Sequence, residues 1–215
     1  NQAIGMLPEE SHFYGLKARL LAQKGNSRGA LQAIETAISK NSDYFAFHMI
    51  EGQIHNDLGN RSQAQVAFQR SNALLPTAES QAALGFLALE AGNESRAYEY
   101  LSQAAQYSDT KAGSAARQAL LPLDMERNPG KYLQAKPQLD SQGMLQVLLS
   151  NRGPYPYDMI VLEVITANQQ RREIPVTRPI QQGEQIVLNT GFGPFNPESS
   201  LDSLVRVQLI RAVMN

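Results

Sequence analysis

The sequence predicts an α+β chain in two parts: a helical-repeat half of about three units with end helices over 1–128, then a small antiparallel β-sandwich over 129–215. Three observations predict it. A Gly-Asn pair recurs at Gly25, Gly59 and Gly92, at spacings of 34 and 33 residues. Small and large apolar residues keep one phase around every pair. From roughly Lys131 the helical period gives way to short β-rich runs separated by turn signals.

The phase assigns each repeated residue a task. Ala30, Ala64 and Ala97 fall five residues after the glycines, Ile34, Phe68 and Leu101 nine after, and Ala37, Ser71 and Ala104 twelve after; Ala18, Gly52 and Gly85 lie seven before. Small residues at such places let two helices cross closely. Gly25, Gly59 and Gly92 suit the positive φ that often follows a helix end. Asn60 tolerates such a turn, and Ser27 and Glu94, which follow the other two asparagines, help cap or start the next helix. Pro76 stops the second helix of its unit, since proline is not accommodated in a helix interior. The stretch GNRSQAQVAF is therefore a helix-turn-helix joint.

This pattern resembles the tetratricopeptide repeat, in which pairs of antiparallel helices stack because one pair cannot bury its apolar faces alone. The middle unit is the most similar, with Gly52, Gly59, Ala64, Phe68 and Pro76 at the characteristic positions. The first unit departs in having Lys17 and Ala18 where Leu-Gly is usual, and neither the first nor the third unit closes with a proline. Pro8 stands 68 residues before Pro76, so Asn1 to Leu7 reads as the tail of an earlier second helix. A further repeat or domain upstream is expected. At the other end, DTKAGSAARQALLPLDM reads as a terminal helix over the last repeat.

In the second half, MLQVLLS, MIVLEVIT, REIPVT, EQIVLNT and SLVRVQLIRAV read as strands, five to seven in all, of a sandwich of immunoglobulin-like type. Val205, Val207 and Leu209 alternate with Arg206 and Gln208, as in a strand with one buried face. Met159 to Ile165, apolar on both faces, is expected to be a central strand. MERNPGKY marks the domain boundary.

Composition narrows the function. The net charge is −1, with eight Lys and Arg against seven Asp and Glu from residue 131 onward and eleven against thirteen before it. That balance speaks against nucleic acid as a partner. The absence of cysteine excludes disulfides and thiolate chemistry. No apolar run approaches the ~20 residues that span a bilayer, so membrane insertion is not expected. His48 and His55 are seven apart, not the four of HExxH, and fall where aromatic residues pack between helices; they are expected to be packed rings, not metal ligands. With no phosphate loop and no nucleophile elbow, no catalytic centre, metal site or cofactor is expected in this chain. Tyr155, Tyr157, Phe192 and Phe195 sit in Pro- and Gly-rich loops, either as a contact point or, more commonly, as plugs of the core. Arg171 and Arg172 read as a solvated hairpin tip.

The resemblance to tetratricopeptide repeats implies a concave groove lined by the first helix of each unit. Carried onto this sequence, its lining includes Arg19 and Gln23, then Met49, Gln53, Asn56 and Asp57, then Phe86, Leu89 and Glu90. Met, Phe and amides suit a peptide or protein ligand. The alternative is an ordinary solvated face, or one covered by another domain of the same protein. The Lys and Asn set with which some members clamp a terminal carboxylate is not matched: Gly15 and Arg19 stand there. As a whole, with SHFYGLKARLLAQKGN, DYFAFHMIEGQIHNDLGN and RSNALLPTAES, the chain resembles the C-terminal, non-catalytic region of BepA-type zinc metallopeptidases of the bacterial envelope. That resemblance implies a periplasmic module recruiting substrates or partners, with zinc in an upstream peptidase domain. A free-standing scaffold or envelope assembly factor is the alternative function, and the cytoplasm the alternative location.

Overall fold

Residues 8–196 and 200–214 are described by the computed structural model; the proposed helix tail over 1–7 lies outside them. The chain divides into two compact units, Asn1–Leu120 and Leu121–Asn215. The first contains α1 (Pro8–Gln23), α2 (Ser27–Lys40), α3 (Phe45–Asp57), α4 (Arg61–Leu74), α5 (Ala78–Glu90), α6 (Glu94–Ala104) and the start of α7 (Lys111–Arg127).

Each Gly-Asn joint is built the same way. Gly25, Gly59 and Gly92 have φ of 75°, 75° and 70°. The amide of the following Asn then reaches back five residues, to the carbonyls of Leu21, His55 and Ala88, at 2.9, 2.9 and 2.8 Å. These bonds satisfy carbonyls that the helix end leaves without partners. Asn26 and Asn93 go on to cap the next helix, their side chains accepting from Gly29 N at 3.0 Å and Arg96 N at 3.1 Å. The asparagines themselves are the caps, and Ser27 and Glu94 are already helical. Asn60 makes no such cap. Pro76 ends α4 two residues after Leu74, and Thr77 with Ser80 forms a capping box that starts α5.

Close helix crossing follows from the missing side chains. A Cβ on Gly52 would sit 2.5 Å from the Phe68 ring, and one on Gly85 2.7 Å from Leu101. Ala18, Ala30, Ala64 and Ala97 are fully buried. Phe47, Ile50 and Ile54 on α3 pack into the cluster formed with α2, Phe47 and Ile54 being buried. The residues in the same phase on α1, Phe13, Leu16 and Leu20, are 65%, 55% and 49% exposed. Arg117 of α7 donates to the Ala105 and Ser108 carbonyls just past α6, at 3.2 and 3.1 Å.

The second unit contains the end of α7, a 3-10 turn at Pro129–Lys131, six strands among the described residues, and a short helix α8 (Leu201–Leu204) before the last strand. The strands are β1 (Leu133–Leu139), β2 (Leu145–Asn151), β3 (Met159–Thr166), β4 (Arg171–Val176), β5 (Gln185–Asn189) and β6 (Val205–Val213). They form two antiparallel three-stranded sheets, ordered β1-β2-β5 and β4-β3-β6. β3 is central in its sheet. β1 was not among the expected strands because Pro137 interrupts it; as an edge strand it can hold a proline without losing a ladder bond. The alternation of β6 breaks at Ile210, where the register against Val161 and Leu162 shifts by a bulge.

Both sheets contribute to one core: Leu145, Val147 and Leu149 from the first, Ile160, Leu162 and Val164 from the second. Tyr157 is fully buried with them, and its hydroxyl donates to the Met125 carbonyl at 3.0 Å, satisfying an acceptor in the last turn of α7. Asp124, nearly buried, accepts from Asn128, Lys131 and Tyr132 at 2.6, 3.0 and 2.6 Å, holding the 3-10 turn to the helix end.

Two predictions follow from packing. Gly52→Val should lower stability by about 1–3 kcal/mol, because the added carbons would collide with the buried Phe68 ring, while Leu20→Ala should stay within about 0.5 kcal/mol; thermal melts followed by helical circular dichroism compare them. Tyr157→Phe should cost about 1 kcal/mol near neutral pH by removing one buried hydrogen bond. Burial, then the neighbouring Tyr132 and Asp124, pushes the Tyr157 phenol well above its ordinary value. Stability from the neutral phenol is complete below about pH 10 and is lost as pH rises further, through the raised folded value. Denaturant titrations across that range should show a weaker alkaline loss in the Phe variant.

Candidate functional site

The first helices of the three units, α1, α3 and α5, each bring one face to a continuous groove, since the helical repeat places residues three and four apart on one side. The groove consists of two adjoining clefts. The larger, about 510 Å³, is lined by Arg19 and Gln23 of α1, by Met49, Gln53 and Asp57 of α3, and by Glu79 of α5, over a floor that includes Phe45, Ile50 and Ile54. The smaller, about 310 Å³, shares Met49, Gln53 and Glu79 and adds Asn56, Phe86 and Glu90. Of the residues proposed from the sequence, Leu89 lies outside both linings and is half-buried.

Several lining residues were not singled out in the sequence. Ala46 and Ala82 stand three and four residues before Met49 and Phe86, on the helix faces that the resemblance to the repeat implied, and Glu79 stands three before Ala82. Phe45 and Thr77 line it from the start of a helix, and Ala112 enters the smaller cleft from α7. These last depend on how turns place helix ends, which the period does not encode.

Arg61, the first residue of α4, is the other residue the sequence did not reveal. Its guanidinium meets Glu90 at 2.8 Å and donates to the Asn56 backbone carbonyl at 3.0 Å, and also to the Asn56 side-chain oxygen. One cation thus ties the groove residues of two successive units together. Asp57, Glu79 and Arg19 have no ion-pair partner among the described residues. The groove accordingly presents an apolar floor, amides, and charges left for a ligand to meet.

The remaining candidates have structural occupations. His48 Nε2 lies 2.8 Å from the Ser42 carbonyl, which can only accept, so that nitrogen carries the proton, and Nδ1 faces Glu51 at 3.4 Å. His12 packs on the rings of Tyr44 and Phe47, with centroids 4.6 and 5.6 Å away. Among the described residues no group of three or more His, Asp or Glu is placed to hold a metal ion. In the β unit Tyr157 is core, Phe192 and Phe195 pack against that core, and Tyr155 is exposed. Arg172 is not a free hairpin tip. Its Nη1 donates to the Thr190 carbonyl at 2.6 Å and its guanidinium lies 5.0 Å from the Phe192 ring centroid.

No protein-family model matches the chain. A 70-residue stretch, 33% of the chain, is 33% identical to the human and mouse DnaJ homolog subfamily C member 7. The stretch spans only 14% of those relatives. Among solved structures, the TPR2B domain of yeast Sti1, in a complex with pHsp70, is similar with a TM-score of 0.50 at 12% identity, covering 55% of this chain and 99% of that one. The helical half has a tetratricopeptide-repeat fold. The Arabidopsis OM64 TPR domain is similar at a TM-score of 0.49 and 14% identity, over 53% of this chain and 95% of that one. No described helix is long and apolar enough to cross a membrane.

Arg61→Ala should change stability by less than about 1 kcal/mol, since both partners are half-exposed. It should release Glu90 and the Asn56 side chain. Melting curves check the first expectation, and the amide chemical shifts of Asn56 and Glu90 the second.

Proposed function

We propose that the chain is a non-catalytic protein-interaction module whose helical groove takes a peptide or a segment of a partner protein. The observation that carries this reading is the groove itself: α1, α3 and α5 present Met49, Gln53 and Phe86 to one surface, beside Arg19, Asp57 and Glu79, which have no ion-pair partner among the described residues. Apolar side chains in a concave setting gain by desolvating a ligand, and amides such as Gln23 and Gln53 can hydrogen-bond an extended backbone. The Sti1 domain of the same fold is known in complex with pHsp70, which supports a peptide as the kind of ligand.

The wider assignment extends this proposal: the module is the recruiting C-terminal part of a zinc metallopeptidase of the bacterial envelope, acting in the periplasm, with the zinc in the upstream peptidase domain. The resemblance of its repeats to those following BepA-type peptidase domains supports it. A second reading is a free-standing scaffold or assembly factor of the bacterial envelope with no associated enzyme. Zinc content of the full-length polypeptide separates the two. The β half is proposed to be an immunoglobulin-like sandwich, a reading supported by its strand order of β1-β2-β5 and β4-β3-β6 around one core.

Capture from an envelope extract tests the groove. The wild type and a Met49→Ala, Asn56→Ala, Phe86→Ala variant are compared, with circular dichroism confirming that the variant is folded. Loss of the captured proteins in the variant is expected. Identical capture by both would exclude the groove as the working surface.

A further inference from the structure

We infer that the groove selects segments in which an apolar side chain is flanked by lysine or arginine, and rejects acidic ones. This rests on the reading of the groove as a peptide site and names the class of peptide. Four charged side chains line the two clefts, the carboxylates Asp57, Glu79 and Glu90 against the single cation Arg19. Arg61 already matches Glu90 at 2.8 Å. What remains for a ligand is Asp57 and Glu79 on one side and Arg19 on the other. Two carboxylates against one cation leave the lining with a small negative excess.

The charges are also arranged in space. Arg19 lines only the larger cleft, from α1, whereas Glu79 of α5 lines both clefts and Asp57 lies on α3 between those helices. An apolar side chain seated over Met49, Ile50 and Ile54 would place a neighbouring cation of its own chain against Asp57 or Glu79. An acidic segment would meet two carboxylates that have no ion-pair partner among the described residues. Like-charge juxtaposition is a strong means of rejecting a ligand, and complementary charge speeds encounter. Arg19 then sets direction, favouring a carboxylate or chain terminus at the α1 end of the ligand.

The experiment is selection of random dodecapeptides displayed on phage against the whole chain. Recovered sequences are synthesised and their affinities measured by fluorescence anisotropy for three proteins: wild type, Asp57→Asn with Glu79→Gln, and Met49→Ala with Phe86→Ala. The expected result is an excess of Lys and Arg over Asp and Glu in the selected peptides. Their affinity should fall about fivefold to tenfold in the Asp57→Asn, Glu79→Gln protein and fall similarly with added salt. Peptides that depend on Met49 and Phe86 but are neutral or acidic, or are indifferent to the Asp57 and Glu79 changes, would overturn the inference and leave the groove reading standing. Recovery of no peptide that depends on Met49 and Phe86 would overturn the groove reading and the inference with it.

Discussion

Where Gly52 faces the Phe68 ring, and Gly85 faces Leu101, a single added carbon would come within 2.5 and 2.7 Å of its neighbour. The distance between the two helices of a unit is therefore set by the absence of a side chain. Ala64 and Ala97 are fully buried on the opposing helices. Similar pairs stack with a similar rotation, and that repetition turns separate helix faces into one concave surface. The groove thus depends on small residues buried between the helices of each unit.

The joints keep that geometry in phase. A positive φ at Gly25, Gly59 and Gly92 lets the next amide bond back to Leu21, His55 and Ala88, so each chain reversal ends its first helix with the same hydrogen bond. Arg61 then couples the result laterally, holding Asn56 of one unit and Glu90 of the next. The groove adds exposed and half-exposed side chains such as Gln53 and Phe86 to a floor in which Ile54 and Ala82 are themselves buried. Substitutions in the groove can alter recognition with little effect on folding.

Much of the helical half was legible in the sequence because the repeat is a spacing, and spacing survives without any structure. Ala30, Ala64, Ala97 and the three turn glycines have the tasks their phase implied. The groove lining came instead with the resemblance to the repeat; Leu89 fell outside it because its place on α5 leaves it half-buried beside, not in, the clefts. Arg61 was invisible for a different reason. Its partners lie on two other helices, and a side chain reaching across units leaves no periodic trace. In the β half β1 was hidden by Pro137, whose lost amide matters only when a strand is flanked on both sides. Tyr157 looked like a loop aromatic, yet its hydroxyl has an acceptor at Met125, a pairing 32 residues apart that no local pattern announces.

The central claim is that partners touch the face formed by α1, α3 and α5. A photo-crosslinking amino acid placed at Gln53, which lines both clefts, and in a second protein at Val66, an exposed residue of α4 outside them, tests this directly. With partner extract and illumination, adducts from position 53 and few or none from position 66 are predicted. Equal adducts from both positions, or adducts from position 66 alone, would contradict it.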